Sequence, residues 1–390
     1  MKNTSNYYRY KSIKASLEAI SYKGIPIKKI CAPIIARGLW KGLDSIYKFA
    51  FYAIDFCSTE KEFNTLLTYT CGNRSDHMKK VNMYRAKKGI DEHSCIEIRR
   101  IVKLNLVMMV REIFYSRAIY KEVDTEKFNV TERIIMFLSI LYSIRQIDYF
   151  IRLGIKCDKY IAYNSSDLEE AALCEYFNNL SVTTFGLQHG MYFEYKENIP
   201  MDVVNYENIS AKNITLWGDY SLFQIKKYLD EDVKFNVSYD FASEIGCSYK
   251  EKSSILVLLP RSIYIEQIYN LLNIITHLKD EKIIFKLHPS LMKNENLLKE
   301  INGISNSNII EHELETILSE SKYKVVISFN STVLFESILY NQNTLMYESN
   351  NNEVSFPDNL TFSTCNELSA KIDNLKNNDV DSEFYFRIKE

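Results

Sequence analysis

The chain has 390 residues, of which 46% are hydrophobic and 25% charged, and its formal net charge is -2. This length exceeds what one hydrophobic core usually holds, so we expect two globular domains, and the small net charge gives no field that would favour nucleic acid as a partner. The eight cysteines are scattered without a Cys-x-x-Cys pair, which argues against a zinc site or a disulfide framework and favours the reducing cytoplasm.

Residues 1–56 are rich in basic and aromatic side chains, with ten Lys or Arg against three acidic residues. Such a segment either lies on an anionic membrane surface, where each basic residue contributes ~1 kcal/mol, or forms a solvated helical face over core aromatics. We expect neither a signal peptide nor an integral membrane protein, because the longest apolar run, at 134–144, is too short to cross a bilayer. Peripheral contact with the inner face of the cell membrane therefore stays one of two open interpretations.

The region from 63 to 120 has a less clear pattern than the rest of the chain. Apolar residues between 94 and 120 show mixed helical spacing, and Asn129-x-x-Glu132 has the form of a capping box that opens a helix ending near Leu153. We therefore predict a mostly helical N-terminal region over residues 1–150. His77 and His93 show no paired ligand spacing, so no metal site is predicted.

Strand and helix patterns alternate from Tyr160 onward, which is typical of a parallel sheet. Ser166-x-x-Glu169 has the form of a second capping box, opening a helix that runs to Asn178. We predict a Rossmann-like core over 151–240, a polar boundary segment, and a second α/β domain over 241–390.

One polar motif, Gln188-His189-Gly190, ends a predicted strand of the first α/β domain. Ligands of open parallel sheets bind outside the carboxyl ends of the strands, and Gly190 would permit a left-handed turn or a close ligand approach. A neutral imidazole at this place suits a general base that takes a proton from an acceptor hydroxyl. His189 is therefore the candidate base, Asp167 and Glu194 are carboxylate alternatives, and a histidine that only orders the turn is the structural alternative.

The second α/β domain also carries polar residues where its predicted strands end. The three strand-end motifs are Pro260-Arg261-Ser262, Lys286-x-His288-Pro289 and Asn330-Ser331-Thr332, the last leading into an apolar helix at 333–340. Ser331 or Thr332 would be the N-cap of that helix. Because these ends share one edge of a parallel sheet, they predict an anion site, most simply for phosphate, made of imidazole, hydroxyls and cationic side chains.

The order Lys-x-His-Pro, then Ser-Thr-x3-Glu at a strand-to-helix turn, resembles the nucleotide-binding half of GT-B glycosyltransferases. It is most similar to the bacterial sialyl-, polysialyl- and Kdo-transferases and to the related teichoic-acid and capsule polymerases. The resemblance runs from Tyr160 onward and leaves residues 1–150 almost unmatched. It implies that His288 of the His288-Pro289 motif, Ser331 and Thr332 contact the donor phosphate, and that Glu311 or Glu313 holds the ribose hydroxyls. Lys286 and Arg261 are further candidates for binding the leaving phosphate. The teichoic-acid polymerase type carries a similar His-Gly, which supports His189 as base.

The resemblance implies two Rossmann-like domains facing a cleft, with the acceptor held by the first and the nucleotide-sugar by the second. It implies inverting transfer without metal or cofactor. The expected donor is CMP-sialic acid or CMP-Kdo, and the expected acceptor is a bacterial capsule polysaccharide, lipopolysaccharide or O-antigen. Two alternatives stay open: a CDP-glycerol or CDP-ribitol polyol-phosphate transferase, and a non-catalytic GT-B-like scaffold at the membrane.

Overall fold

The computed structural model describes residues 2–70, 74–102, 106–193, 195, 199–229, 232–241, 250–349, 353–354, 356–374 and 382–387. The chain forms two compact units, Met1–Phe241 and Ala242–Arg387. Each unit is an α/β layer structure built on its own sheet.

The first unit combines a seven-stranded sheet with helices from both halves of its sequence. Its helices are α1 Lys2–Ala15, α2 Lys28–Lys41, α3 Ser75–Lys87, α4 Leu106–Tyr120, α5 Val130–Leu153, α6 Leu168–Asn179, α7 Val204–Glu207 and α8 Asp219–Ile225. Its strands are β1 Ser21–Tyr22, β2 Ile25–Pro26, β3 Tyr52–Phe56, β4 Glu62–Tyr69, β5 Cys95–Val102, β6 Lys156–Ala162, β7 Thr183–Leu187, β8 Asn213–Leu216 and β9 Lys234–Val237. The sheet order is β3-β5-β4-β6-β7-β8-β9, and only the edge pair β3–β5 is antiparallel. The order reverses between β4 and β6, which makes their carboxyl ends the switch point of this sheet.

The predicted N-terminal helices are present, but the helical interpretation is wrong for the residues of β5, and the region also contains the strands β3 and β4. In β5 the buried residues Ile96 and Ile98 alternate with more exposed ones, which is the period of a strand rather than of a helix. The mixed spacing between 94 and 120 therefore comes from a strand followed by the helix α4. Residues 1–150 thus supply three strands of the sheet in addition to helices.

The helix α5 confirms the first capping box. Asn129 Oδ1 accepts a hydrogen bond from Glu132 N at 3.0 Å, and Glu132 Oε2 accepts one from Asn129 N at 2.9 Å. The helix ends at Leu153, followed by Gly154 in the left-handed conformation with φ of 64°. The helix α5 is long and apolar enough to cross a membrane. However, 67% of its most apolar 18-residue stretch is buried inside the protein, so it is a core helix of the unit.

The basic, aromatic segment at the N-terminus packs into the first unit. Tyr7 and Tyr10 of α1 are buried, and the Glu207 carboxylate accepts hydrogen bonds from Tyr10 Oη at 2.6 Å, Lys11 Nζ at 2.8 Å and Lys14 Nζ at 3.0 Å. Burial alone would raise the pKa of Glu207, but the two ammonium groups hold it below its usual value. The helix α1 is therefore tied to the body of the unit.

The second unit is a six-stranded, all-parallel sheet. Its strands are β10 Lys250–Leu259, β11 Ile283–Leu287, β12 Ser307–Ile309, β13 Ser321–Ser328, β14 Thr344–Tyr347 and β15 Thr361–Phe362. Its helices are α9 Ile265–Ile275, α10 Glu295–Asn302, α11 Leu314–Glu320, α12 Val333–Leu339, α13 Cys365–Asn374 and α14 Ser382–Tyr385. The order β12-β11-β10-β13-β14-β15 is that of a Rossmann sheet and reverses between β10 and β13. The strands predicted from short apolar runs are confirmed, since a parallel sheet covered on both faces needs such runs.

Candidate functional site

In the second unit, hydrogen bonds join the loops that follow β10 and β11. Ser262 N donates to Ser290 Oγ at 3.0 Å, and Ser290 N donates to His288 Nδ1 at 3.1 Å. The two loops therefore form one connected surface at the carboxyl edge of the sheet. Pro289 begins the short 3-10 turn Pro289–Leu291 that brings the Ser290 amide under the imidazole.

The loop after β13 is tied to the same edge through Glu353. Asn330 Oδ1 accepts from Glu353 N at 2.9 Å, and Glu353 Oε2 accepts from Tyr264 Oη at 2.5 Å. Asn330 has φ of 44°, a left-handed conformation that asparagine tolerates better than most residues. Since Tyr264 follows β10, the loops on both sides of the switch point are connected, with Arg261 close enough to affect the Tyr264 phenol.

The hydrogen bonds of His288 determine which ring nitrogen carries its proton. Nδ1 accepts from the Ser290 amide, and Ser290 Oγ lies 2.9 Å from the same nitrogen. A backbone N–H can only donate, so the neutral ring must carry its hydrogen on Nε2. His288 is thereby held as a hydrogen-bond donor through Nε2, which is the role that a phosphate oxygen requires.

The predicted N-cap of α12 is confirmed at Thr332, but the hydroxyl of this residue makes no cap hydrogen bond. Thr332 occupies the N-cap position with helical backbone angles, φ of -57° and ψ of -30°, and its side chain makes no cap hydrogen bond. The turn is closed by the backbone instead, where Leu334 N donates to Ser331 O at 3.2 Å. Helical angles at the cap turn the hydroxyl away from the amides that it would otherwise satisfy. Ser331 and Thr332 are both half-buried at the edge.

The two predicted ribose ligands lie close to Lys286. Lys286 Nζ donates to the Glu311 backbone oxygen at 3.1 Å. Partial burial lowers the pKa of Lys286, and the carboxylates of Glu311 and Glu313 oppose that shift. Both glutamates are exposed after β12, so the ammonium group and two carboxylates share one end of the edge.

In the first unit, Gln188 fixes the turn that carries His189. Its side chain donates to Gly190 O and to Ser221 Oγ, each at 2.8 Å, and accepts from Trp217 N at 2.8 Å. The turn after β7 is thus bonded to the start of the segment after β8. The expected left-handed turn at Gly190 is wrong, because its φ is not positive. An added Cβ would meet no protein atom within 4 Å, so a close ligand approach at Gly190 stays a prediction.

Three aromatic rings surround His189. Its ring centroid lies 6.1 Å from His77, 6.0 Å from Tyr163 and 6.4 Å from Tyr192. His77 belongs to α3 after β4, and Tyr163 follows β6, so the cluster occupies the switch point of this sheet. His189 Nδ1 is buried and has no hydrogen-bond partner among the described residues.

The surroundings of His189 keep its ring neutral. Burial lowers the pKa of His189 to about 3, and the positive charges of His77, Lys80 and Arg74 add to the shift. Lys80 Nζ lies 4.8 Å from the Trp217 ring centroid, over the ring. At neutral pH the imidazole is therefore unprotonated and lies in a positive field.

A buried carboxyl group shapes the loop that carries Tyr163. The Glu170 side chain accepts hydrogen bonds from Tyr163 N at 2.9 Å and Asn164 N at 3.1 Å. Burial, with the nearby Asp167 charge, raises the pKa of Glu170 to about 8. Glu170 therefore holds the backbone of the Tyr163 loop in place.

Of the two carboxylate alternatives, the structure describes only Asp167, and it pairs this residue with an arginine outside the cluster. Asp167 pairs with Arg100 of β5 at 3.5 Å, and burial raises the pKa of Asp167 although Arg100 opposes the shift. Glu194 lies outside the described residues. The second capping box is also wrong, because the N-cap of α6 is Asp167 and the Glu169 carboxylate binds Arg100 at 2.6 Å, with Ser166 Oγ donating to Asn205 O at 2.6 Å.

Four residues have roles at these sites that were not predicted from the sequence: His77, Tyr163, Ser262 and Ser290. For His77 and Tyr163 the missing signal was the strand β4, since a strand there would have placed the switch point between β4 and β6. The two serines stand in motifs that were recognised, but their roles depend on bonds between separate loops. No three His, Cys, Asp or Glu side chains cluster as metal ligands anywhere in the described ranges.

No protein-family model and no curated protein matches the chain. Among solved structures, it is similar to a UDP-GlcNAc 2-epimerase of Methanocaldococcus jannaschii in complex with UDP-GlcNAc and UDP, with 12% identity, a TM-score of 0.46, and coverage of 83% of this chain and 97% of that chain. It is also similar to a glycosyltransferase of Rickettsia africae, with 13% identity, a TM-score of 0.42, and coverage of 81% and 88%. A variant of S. aureus TarM in complex with fondaparinux, alpha-GlcNAc-glycerol and UDP gives 15% identity, a TM-score of 0.42, and coverage of 63% and 54%. Scores of this size do not identify a family.

Proposed function

We propose that the protein is a glycosyltransferase that uses a nucleotide-activated sugar and binds this donor at the carboxyl edge of the second unit. The observation that carries the proposal is the connected surface formed by the loops after β10, β11 and β13, which lies at the switch point where open α/β sheets bind nucleotides.

The donor phosphate would be held by neutral and cationic hydrogen-bond donors. His288 offers Nε2–H because Nδ1 is occupied by Ser290, and Ser331 and Thr332 add hydroxyls on the next loop. Fixed donors of this kind stabilise the charge that develops on a leaving nucleotide. Glu311 or Glu313 would bind the ribose hydroxyls, and Lys286, close to both, would balance their charge.

The acceptor would be bound by the first unit, with His189 as general base. An unprotonated imidazole can take a proton from a hydroxyl, and it becomes a stronger base when a bound anionic acceptor raises its pKa toward the working pH. The positive charges of Lys80 and Arg74 around it suit such an acceptor. We therefore favour an acidic cell-surface polysaccharide or a lipid-linked glycan, built in the cytoplasm. By resemblance, the donor is CMP-linked sialic acid or Kdo.

The positive charges near His189 also suit a second candidate function. A polyol-phosphate transferase that uses CDP-glycerol or CDP-ribitol has an acceptor rich in phosphate, which Lys80 and Arg74 would also attract. Identification of the transferred group separates the two reactions. A scaffold without activity would release no nucleotide from any donor.

A nucleotide panel tests the donor assignment through thermal stability. A ligand at 100 times its dissociation constant adds about 2.7 kcal/mol to the free energy of unfolding, so CMP and CDP should each raise the melting temperature, with AMP as the control. A rise with UDP alone would make the cytidine assignment wrong. If no nucleotide raises it, the second unit is not a donor site.

A further inference from the structure

The helix α4 turns its apolar face to solvent. Val107 is 80% exposed, Val110 66% and Phe114 71%, and residues at this spacing form one stripe along a helix. Glu112 and Ser116 lie on the opposite face and are buried. The apolar face of α4 is therefore exposed and its polar face is buried, which is the reverse of the arrangement in a core helix.

Internal bonds hold α4 in this orientation. The Glu112 carboxylate accepts from Arg145 of α5 at 2.8 Å, and Ser116 Oγ donates to the Glu112 backbone oxygen at 2.6 Å. Arg145 also donates to the backbone oxygens of Ala50 at 2.7 Å and Tyr52 at 3.0 Å. Rotating the helix to bury its apolar stripe would break this buried pair, which is costly.

Further exposed apolar residues lie at the end of the sheet that leads to α4. Ile101 and Val102, at the end of β5, are exposed. Phe51 is exposed as well, and it lies near them because its neighbour Tyr52 pairs with Val102 across β3 and β5. Soluble monomers rarely expose large contiguous apolar surfaces unless these bind something. An interaction partner is therefore needed to explain this surface.

The charges around the stripe are basic. From Leu106 to Lys121 the sequence holds three Lys or Arg and one acidic residue, the buried Glu112. Arg111 and Arg117 are exposed on the two sides of the stripe. Arg111 pairs with Asp148 at 2.8 Å, and Lys23 shares that carboxylate at 2.6 Å, so the pairing leaves a positive excess.

We propose that α4 is a monotopic membrane-docking face, with Val107, Val110 and Phe114 inserted below the headgroups and Arg111 and Arg117 bound to anionic lipid. Apolar side chains flanked by arginines are the pattern of helices that lie in the membrane interface. A second copy of the chain fits less well, because a symmetric contact would bring the arginines of the two copies together. This face is centred on α4, and of residues 1–56 it includes only Phe51, whereas Tyr7 and Tyr10 of that segment are in the core.

Vesicle flotation tests the docking face. The full chain should float with vesicles that contain phosphatidylglycerol, more weakly with pure phosphatidylcholine, and less at high salt because surface attraction is screened. Phe114→Ser should weaken flotation roughly tenfold or more, because it removes an aromatic side chain that would be buried in the membrane. Phe223→Ser on α8 is the matched control, since Phe223 is also 71% exposed, and it should float like the parent protein.

Three results would overturn the proposal: absence of flotation by the parent chain, equal flotation of Phe114→Ser, or loss of flotation in both phenylalanine variants. Mass determination by light scattering tests whether a second copy of the chain binds this face instead of a membrane. A dimer that Phe114→Ser converts to a monomer, with flotation unchanged, would make this face an interface between copies. Melting curves should show that both variants are folded, because both side chains are exposed.

Discussion

The variant His189→Ala is expected to lower turnover by about 10²–10⁴ and to leave the nucleotide dissociation constant unchanged. The imidazole belongs to the first unit, whereas the proposed nucleotide ligands lie in the second. A base acts on the acceptor proton in the transition state, so its loss affects the chemical step rather than donor binding. Single-turnover rates and nucleotide titrations on the same preparation measure the two quantities separately.

The pH dependence of the parent protein provides a second measurement on His189. Because burial and neighbouring cations lower its pKa to about 3, the base stays unprotonated as the pH falls, and the acidic limb of kcat/KM should lie near pH 3 instead of near 6.5. A bound anionic acceptor favours the protonated ring, so the acidic limb of kcat should lie at higher pH than that of kcat/KM.

The exposed His93 of the first unit gives the matched control, and His93→Ala should keep full turnover. Near-normal turnover in His189→Ala, together with inactivity of Asp167→Asn or Glu194→Gln, would show that the base is a carboxylate. An acidic limb of kcat/KM near pH 6.5 would contradict the lowered pKa of His189.

The second large effect is expected from His288→Ala, which should raise the nucleotide dissociation constant roughly ten- to hundredfold. A hydrogen bond to a charged phosphate is worth about 1.5–3 kcal/mol, and removal of the ring takes away the Nε2–H donor. Isothermal titration with the nucleotide that stabilises the parent protein measures the change. Ser290→Ala should have a smaller effect, because the Ser290 amide still binds Nδ1.

His277→Ala is the control for this variant. His277 is exposed just beyond α9 and bonds only locally, with Nδ1 2.8 Å from Asn273 O, so its loss should not change nucleotide affinity. If His288→Ala binds nucleotide as tightly as the control, His288 only orders the turn at Pro289. Additional loss of affinity in Ser331→Ala with Thr332→Ala would extend the phosphate site to the loop after β13.

Local signals allowed the sequence by itself to determine much of this protein. The strands of the second sheet are short apolar runs that end at Pro260, Pro289 and Asn330, and parallel order then places their polar ends on one edge. The capping box at Asn129 was equally clear, because its two hydrogen bonds involve residues three positions apart. These features depend on neighbours in the chain.

The tertiary structure alone decided the features that depend on distant residues. Glu169 has the spacing of a capping box, yet it binds Arg100, since an ion pair stabilises a buried carboxylate more than a cap does. The proton position on His288 follows from the backbone turn at Ser290, and the low pKa of His189 follows from groups on α3. Apolar periodicity predicted the helix α4, but only the buried pair of Glu112 with Arg145 decided that its apolar face points outward.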